Sequence, residues 1–259
     1  MTEKPKVIVF DLDGTLAERK QPLTPQMGES VTKLLQKMPV AVMSGAGLPQ
    51  FKVQFLAHLP NNTYFERLYL FPDSAAQCFV YKTQEGGGAG DWQAQYDLSF
   101  SQNEKKEVLE ALETALQEAG LANAPSRLWG ERIEDRGAEI AFSPLGQQAP
   151  VSEKQAWHDA HEDTRQKLRD TLAQKLPQFS ITTGGITTID ITRKGITKAY
   201  GVRQLAEITS TYISDMLYVG DALGHGGNDA VVVETGIPTH AVTGPTETAT
   251  LITNLLREV

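Results

Sequence analysis

Residues 7–10 read VIVF, an unbroken apolar run rich in β-branched side chains, and the next five positions read DLDGT. A run this short with no polar alternation describes a strand buried on both faces, the habit of parallel sheets covered by helices. Next comes TPQMGESVTKLLQKM, apolar at helical spacing behind a Thr24–Pro25 start signal, and then a second short apolar run, VAVM, that ends in SGAG. Strand, turn, helix, strand, turn is the βαβ unit of an α/β fold. That unit places Asp11 and Asp13 together where a buried strand ends, and neighbouring carboxylates repel unless a positive charge sits between them.

The same rhythm returns after Lys194: a helix at KAYGVRQLAEI, a strand at DMLYVGD, a glycine-rich loop, a helix near NDAVVVET, a strand at THAVT and a last helix from Glu247. The middle of the chain reads differently. LYLFPDSAAQCFVYK (68–82) suggests short strands around a turn. TQEGGGAGD suggests a flexible or hairpin connection, without the lysine and hydroxyl spacing of a phosphate-binding loop. Two amphipathic helices (101–120 and 154–176) alternate with strand pairs at 133–146 and 179–192, the makings of an α+β layer. The expected architecture is therefore a core built from residues 1–82 and 190–259, holding a parallel sheet, with an α+β domain inserted at 83–189.

Charge narrows the function. At −8 over 259 residues the chain offers no broad basic surface for nucleic acid or an anionic membrane, so any anionic ligand needs a local basic pocket. Cys78 is the single cysteine, which excludes an intramolecular disulfide and suits a reducing compartment; it reads as a small core residue. No apolar run approaches the roughly 20 residues of a membrane helix. These features predict a cytoplasmic protein.

In an open parallel sheet, ligands bind beyond the carboxyl ends of the strands. VIVF ends in Asp11, VAVM in Ser44, and MLYV in Gly220 and Asp221, with Asp229 closing the loop GDALGHGGND. Carboxylates from Asp11, Asp13 and Asp221 in one mouth suit a small hard cation, and Mg²⁺ is the natural partner for the opening pair. Gly14 permits a tight turn, and Thr15 offers a hydroxyl to a phosphate oxygen.

In DLDGT, Ser44, Lys198 and GDALGHGGND, taken in that order, the chain resembles the haloacid dehalogenase (HAD) superfamily of phosphotransferases. The resemblance implies a Rossmann-like core and an aspartyl-phosphate mechanism. Asp11 would be the nucleophile and Asp13 the general acid and base. Ser44 would hold phosphoryl oxygens, and Lys198 would place its charge against Asp11 and the phosphate. Asp11, Asp221 and the backbone carbonyl of Asp13 would bind the metal, supported by Asn228 and Asp229. The long insertion looks like a type IIB cap that encloses a small phosphorylated sugar or polyol.

Within that group SPLG, GGITTID, GITK and GGND resemble the eukaryotic-type phosphomannomutases. This implies a phosphate or substrate contact for Arg136, sugar-hydroxyl contacts for Thr188 and Asp190, and pairing of two copies through their caps. Where those mutases carry arginines, this chain has Lys20, Gln147 and Lys154. Lysine loses the bidentate fork and glutamine the charge. A mutase must hold a second phosphate and a phosphatase need not, so the expected function is hydrolysis of a sugar phosphate. Interconversion of hexose 1- and 6-phosphates stands second, and a non-catalytic binding protein third. His158 and His161, at i and i+3 among acidic residues, read as a solvated helix face before a metal pair. His225, inside the metal loop, reads either as a phosphate or leaving-group contact or as an exposed loop residue. Trp129 and Trp157 read as packing.

Overall fold

The computed structural model describes residues 4–83, 90–224 and 226–258, so most of the glycine-rich connection (84–89) and His225 lie outside the described residues. The chain divides into two compact units, Met1–Asp97 with Ile196–Val259, and Leu98–Gly195.

In the larger unit, β1 (Val7–Asp11), β2 (Val40–Met43), β3 (Leu68–Phe71), β10 (Met216–Gly220) and β11 (Thr239–Ala241) run parallel, and β4 (Gln77–Lys82) and β5 (Asp91–Asp97) extend one edge antiparallel. The order is β11-β10-β1-β2-β3-β4-β5. Every residue of β1 is buried. Its alternate side chains enter two separate cores. Ile8 and Phe10 pack with Val31, Leu34 and Leu35 of α1 (Pro25–Lys37) and Ile252 of α6 (Pro245–Glu258). Val7 and Val9 pack with Val202 and Leu205 of α5 (Lys198–Thr209). Burial on both faces is why the run carries no polar alternation, and each such side chain contributes about 1.5–3 kcal/mol of hydrophobic stabilisation. Helix α1 begins where the sequence signals it, with the Thr24 hydroxyl accepting from the Met27 amide and Pro25 in the first turn.

Two local expectations are corrected. Residues 91–97, expected in the insert, form an edge strand of the large sheet. Trp92 and Tyr96 alternate along it and meet Phe65, Tyr81 and Phe71, so aromatic packing ties the strand to the core. The inserted unit accordingly runs 98–195 instead of 83–189. The helix expected at NDAVVVET is a 3₁₀ segment, Ala230–Thr235, ended by Gly236 at φ +77°; its valine run disfavours α-helix. A short helix, α2 (Leu48–Gln54), follows the SGAG turn, in a stretch to which the sequence pattern assigns no element.

The smaller unit is one antiparallel sheet of β6 (Ile133–Asp135), β7 (Glu139–Phe142), β8 (Phe179–Gly184) and β9 (Thr188–Arg193) in the order β6-β7-β9-β8. Ile140, Phe142, Ile189 and Ile191 face α3 (Gln102–Glu118) and α4 (Val151–Lys175), meeting Val108, Leu112, Leu168 and Leu172. The intervening positions form an open, polar face. A capping box starts α3, with Ser101 and Glu104 satisfying each other's amides. Among the described residues, no helix is long and apolar enough to cross a membrane.

Candidate active site

The carboxyl ends of β1 and β10 meet over the amino end of α5. Asp11, the last residue of β1, is buried, and so is Lys198, the first of α5. The Lys198 ammonium donates to Asp11 Oδ1 at 2.5 Å and to Asp229 Oδ1 at 2.6 Å. Asp229 also accepts from the Tyr218 hydroxyl on Oδ1 (2.7 Å) and from the Ala222 amide on Oδ2 (3.2 Å). Both its oxygens are thus occupied by donors from the protein. Burial pulls the Lys198 pKa down, but the two carboxylates outweigh it and the net direction is up. The Asp11 pKa rises to about 6: burial is the main cause, Lys198 opposes it, and Asp229 and Asp221 add to it.

Two glycines allow the carboxylates to come this close. Gly14 sits at φ +89°, and a Cβ there would lie 2.4 Å from Asp221 Oδ2; a Cβ on Gly220 would lie 2.4 Å from Asp229 Oδ2. The turn after β1 is locked to the β10 loop by Thr15, whose hydroxyl oxygen accepts from the Asp221 amide at 3.0 Å. Thr15 is fully buried. It joins two loops through that oxygen.

Asp11, Asp221 and Asp229 present oxygens that all lie within 4.8 Å of one another. Three carboxylates against one buried ammonium leave negative charge uncompensated, and Asp229 and Asp221 add to the burial that raises the Asp11 pKa. A divalent cation fits that donor set, which is oxygen-only and hard. Asp229 already accepts three protein donors, so Asp11 and Asp221 have more capacity left to face an ion. Arg19, an exposed residue, reaches Asp221 Oδ2 at 3.1 Å.

Asp13 lies outside that carboxylate group. Its Oδ1 accepts from the Lys20 backbone amide (2.7 Å) and from Gln54 Nε2 (2.8 Å), so its carboxyl is aimed by the chain itself. Lys20 thus enters through its backbone, in the left-handed region at φ +58°, with its side chain exposed. Ser44 is buried beyond β2; its Oγ accepts from the Ala46 amide at 3.0 Å and keeps its own proton to donate. Asn228 is exposed.

In the smaller unit, Glu134, Ala141, Asp190 and Thr182 pair in one row across the sheet and share its open face. Arg136 is held there by two carboxylates: its Nε and Nη2 donate to Glu134 Oε2 (2.9 and 2.6 Å) and its Nη1 to Glu139 Oε1 (2.5 Å). Asp190 Oδ1 and Thr187 Oγ1 are buried with no hydrogen-bond partner. Burial raises the Asp190 pKa, with Arg136 opposing and Glu134 reinforcing. Thr188, half-buried, opens β9. Lys154 Nζ donates to the Gln147 carbonyl at 3.0 Å, and Gln147 Nε2 reaches the Ala141 carbonyl at 3.4 Å. His158 pairs with Glu162, while His161 stacks on Trp157 (centroids 4.8 Å apart), so the two imidazoles serve different partners. Trp129 packs under the Arg127 guanidinium.

Sequence reasoning missed Gln54, Arg19 and Tyr218 as parts of the core site. Tyr218 left one trace, a phenol in an otherwise apolar strand that needs a partner when buried. Glu139 was missed in the smaller unit; a carboxylate inside the apolar stretch EIAF was its only signal.

A Rossmann-like core with a buried aspartate, a buried lysine and a carboxylate cluster at its strand ends is the architecture of a HAD-type phosphotransferase, and the chain is an enzyme of that class. Residues 27–258 match the model of the eukaryotic phosphomannomutase family, to which the chain belongs. It is 25% identical over 261 residues to a probable phosphomannomutase of Caenorhabditis elegans, covering 98% of this chain and 96% of that one. It is 27% identical over 254 residues to a phosphomannomutase of Spinacia oleracea, covering 96% and 95%. Among solved structures, an IMP-bound, N-terminally truncated IMP-nucleotidase of Plasmodium falciparum superposes with a TM-score of 0.67 at 15% identity, over 99% of this chain and 69% of that one, a likeness of fold alone. The named relatives lean toward isomerisation, the reaction that the sequence by itself places second.

Proposed function

We propose that this chain transfers the phosphoryl group of a hexose phosphate through an aspartyl phosphate on Asp11. The observation that carries the reading is Lys198 held between Asp11 and Asp229. A buried ammonium beside the attacking carboxylate offsets its repulsion from a phosphate dianion. An Asp11 oxygen attacks phosphorus while the bond from phosphorus to the sugar oxygen breaks, and Asp13 gives that oxygen its proton. An incoming hydroxyl then attacks phosphorus, yields its proton to Asp13, and the bond to Asp11 breaks. Asp13 is suited to both steps because Lys20 and Gln54 aim its carboxyl. Ser44 donates its hydroxyl proton to a phosphoryl oxygen. The carboxylates of Asp11 and Asp221, with the Asp13 carbonyl, would hold Mg²⁺, with Asn228 and Asp229 in support; the ion supplies charge neutralisation at the phosphoryl oxygens.

If the phosphoryl donor is a hexose bisphosphate and the incoming hydroxyl belongs to a hexose monophosphate, the first step releases one monophosphate and the second re-forms the bisphosphate, so that the net reaction is interconversion of hexose 1- and 6-phosphates, a reading supported by the family match and the curated relatives. Hydrolysis is the second reading. It is favoured by the uncharged Gln147, by Lys154 bound to a carbonyl, and by Arg136 tied between two carboxylates. Thr188 and Asp190 read sugar hydroxyls, and pairing of two copies through the smaller unit and a cytoplasmic setting belong to the same reading. Incubation with mannose 1-phosphate and Mg²⁺, with and without a hexose bisphosphate, separates the two through mannose 6-phosphate and free phosphate. Asp11→Asn should reduce both products to background. Turnover that survives this change would remove the aspartyl phosphate from the account.

A further inference from the structure

The open face of the smaller sheet carries one guanidinium and three carboxylates. Arg136 spends both edges of its fork on Glu134 and Glu139, so a ligand approaching it meets a group already neutralised twice over. The two partners differ in kind. The Glu134 side chain is 45% exposed, whereas that of Glu139 is only 9% exposed, on a strand whose alternate positions are apolar. A carboxylate buried there is costly unless it is paired, and Arg136 is one of its partners. Two positions from Glu139 on β9's side of the same face, the unpartnered Asp190 Oδ1 is an acceptor in want of a donor. A phosphate is acceptor-only at its oxygens and cannot supply one; a sugar hydroxyl can.

We propose that Glu139 is a specificity-determining residue: by holding Arg136 it withholds that guanidinium from a second phosphate, so that the open face accepts the hydroxyl-bearing end of a sugar monophosphate and disfavours a bisphosphate. The inference rests on the reading that this face meets the substrate. It makes Glu139 the residue that sets the partition between isomerisation, which needs a bisphosphate held through its turnaround, and hydrolysis, which does not. Glu139 acts through Arg136 and touches no reacting atom.

The test compares binding of glucose 1,6-bisphosphate and glucose 6-phosphate to the full chain and to Glu139→Gln, an isosteric change that keeps a hydrogen-bonding side chain in the buried position. The ratio of the two affinities should shift about tenfold toward the bisphosphate, the size of one charge-assisted contact. Adding Arg136→Met to that variant should abolish the gain. Modification of Arg136 by phenylglyoxal, read by peptide mass spectrometry, should accelerate in Glu139→Gln. Should that variant fold poorly, Glu139→Met, which removes the buried carboxylate and fills a similar volume, should shift the same ratio in the same direction. An unchanged ratio in a folded variant whose Arg136 labels faster overturns the inference, and so does a gain that survives loss of Arg136. If neither sugar phosphate binds the unmodified chain, the hexose-phosphate reading falls first and takes the inference with it.

Discussion

Asp11 is buried beside Lys198, and the cost of burying its charge, which Lys198 only partly offsets, has a measurable sign. Its pKa in the fold, about 6, lies above the ordinary carboxylate value of 3.8. Between those two values the unfolded chain has released a proton that the folded chain retains, so stability falls as pH rises through the window. The penalty reaches about 3 kcal/mol above pH 6 in metal-free protein. Chemical denaturation in EDTA from pH 4 to 7 should show this fall, and Asp11→Asn should flatten it. Gly14 gives a second prediction at the same scale. An alanine there would be strained at φ +89° and its Cβ would strike Asp221, so Gly14→Ala should destabilise the fold by about 1–3 kcal/mol and weaken Mg²⁺ binding. A variant with unchanged Mg²⁺ affinity would show that Asp221 does not depend on this close approach.

At the scale of elements, α3 depends on its first turn. Arg193 foremost, then Ser101, holds the Glu104 carboxyl down at about 2, and the same side chain closes the capping box. The group is depressed in the fold, so its contribution is present above pH 4.5 and is lost as pH falls toward 2. Ser101→Ala should cost about 1 kcal/mol, and Glu104→Gln should make stability less sensitive to acid, both read from denaturation curves. Two helix starts were legible in the sequence for a physical reason: capping chemistry is local, and Thr24–Pro25 and the residues from Ser101 onward state it outright. The strand at 91–97 was not legible as core. Which sheet receives Trp92 and Tyr96 depends on Phe65, Tyr81 and Phe71, distant along the chain.

For the molecule as a whole, two units with separate apolar cores predict two unfolding events in calorimetry. Mg²⁺ should raise only the transition of the larger unit, by about 2.7 kcal/mol at a hundredfold excess over its Kd. Leu112→Ala, buried in the smaller unit, should lower only the other transition by about 2–5 kcal/mol. A single transition that moves with both changes would show the units to unfold as one.

By itself the sequence determined which strands are buried on both faces, because hydrophobic periodicity is written residue by residue, and which carboxylates end them, because in a parallel sheet strand ends converge. It also named Lys198 and Asp221, through motif order. Only the tertiary structure decided that Asp229 accepts from Lys198, Tyr218 and Ala222, that Thr15 ties its loop to Asp221, and that Arg136 is already engaged by Glu134 and Glu139. Each of these is a question of which donor reaches which acceptor. Hydrogen bonds and ion pairs form between side chains brought within about 3 Å by packing, and no local pattern encodes that distance.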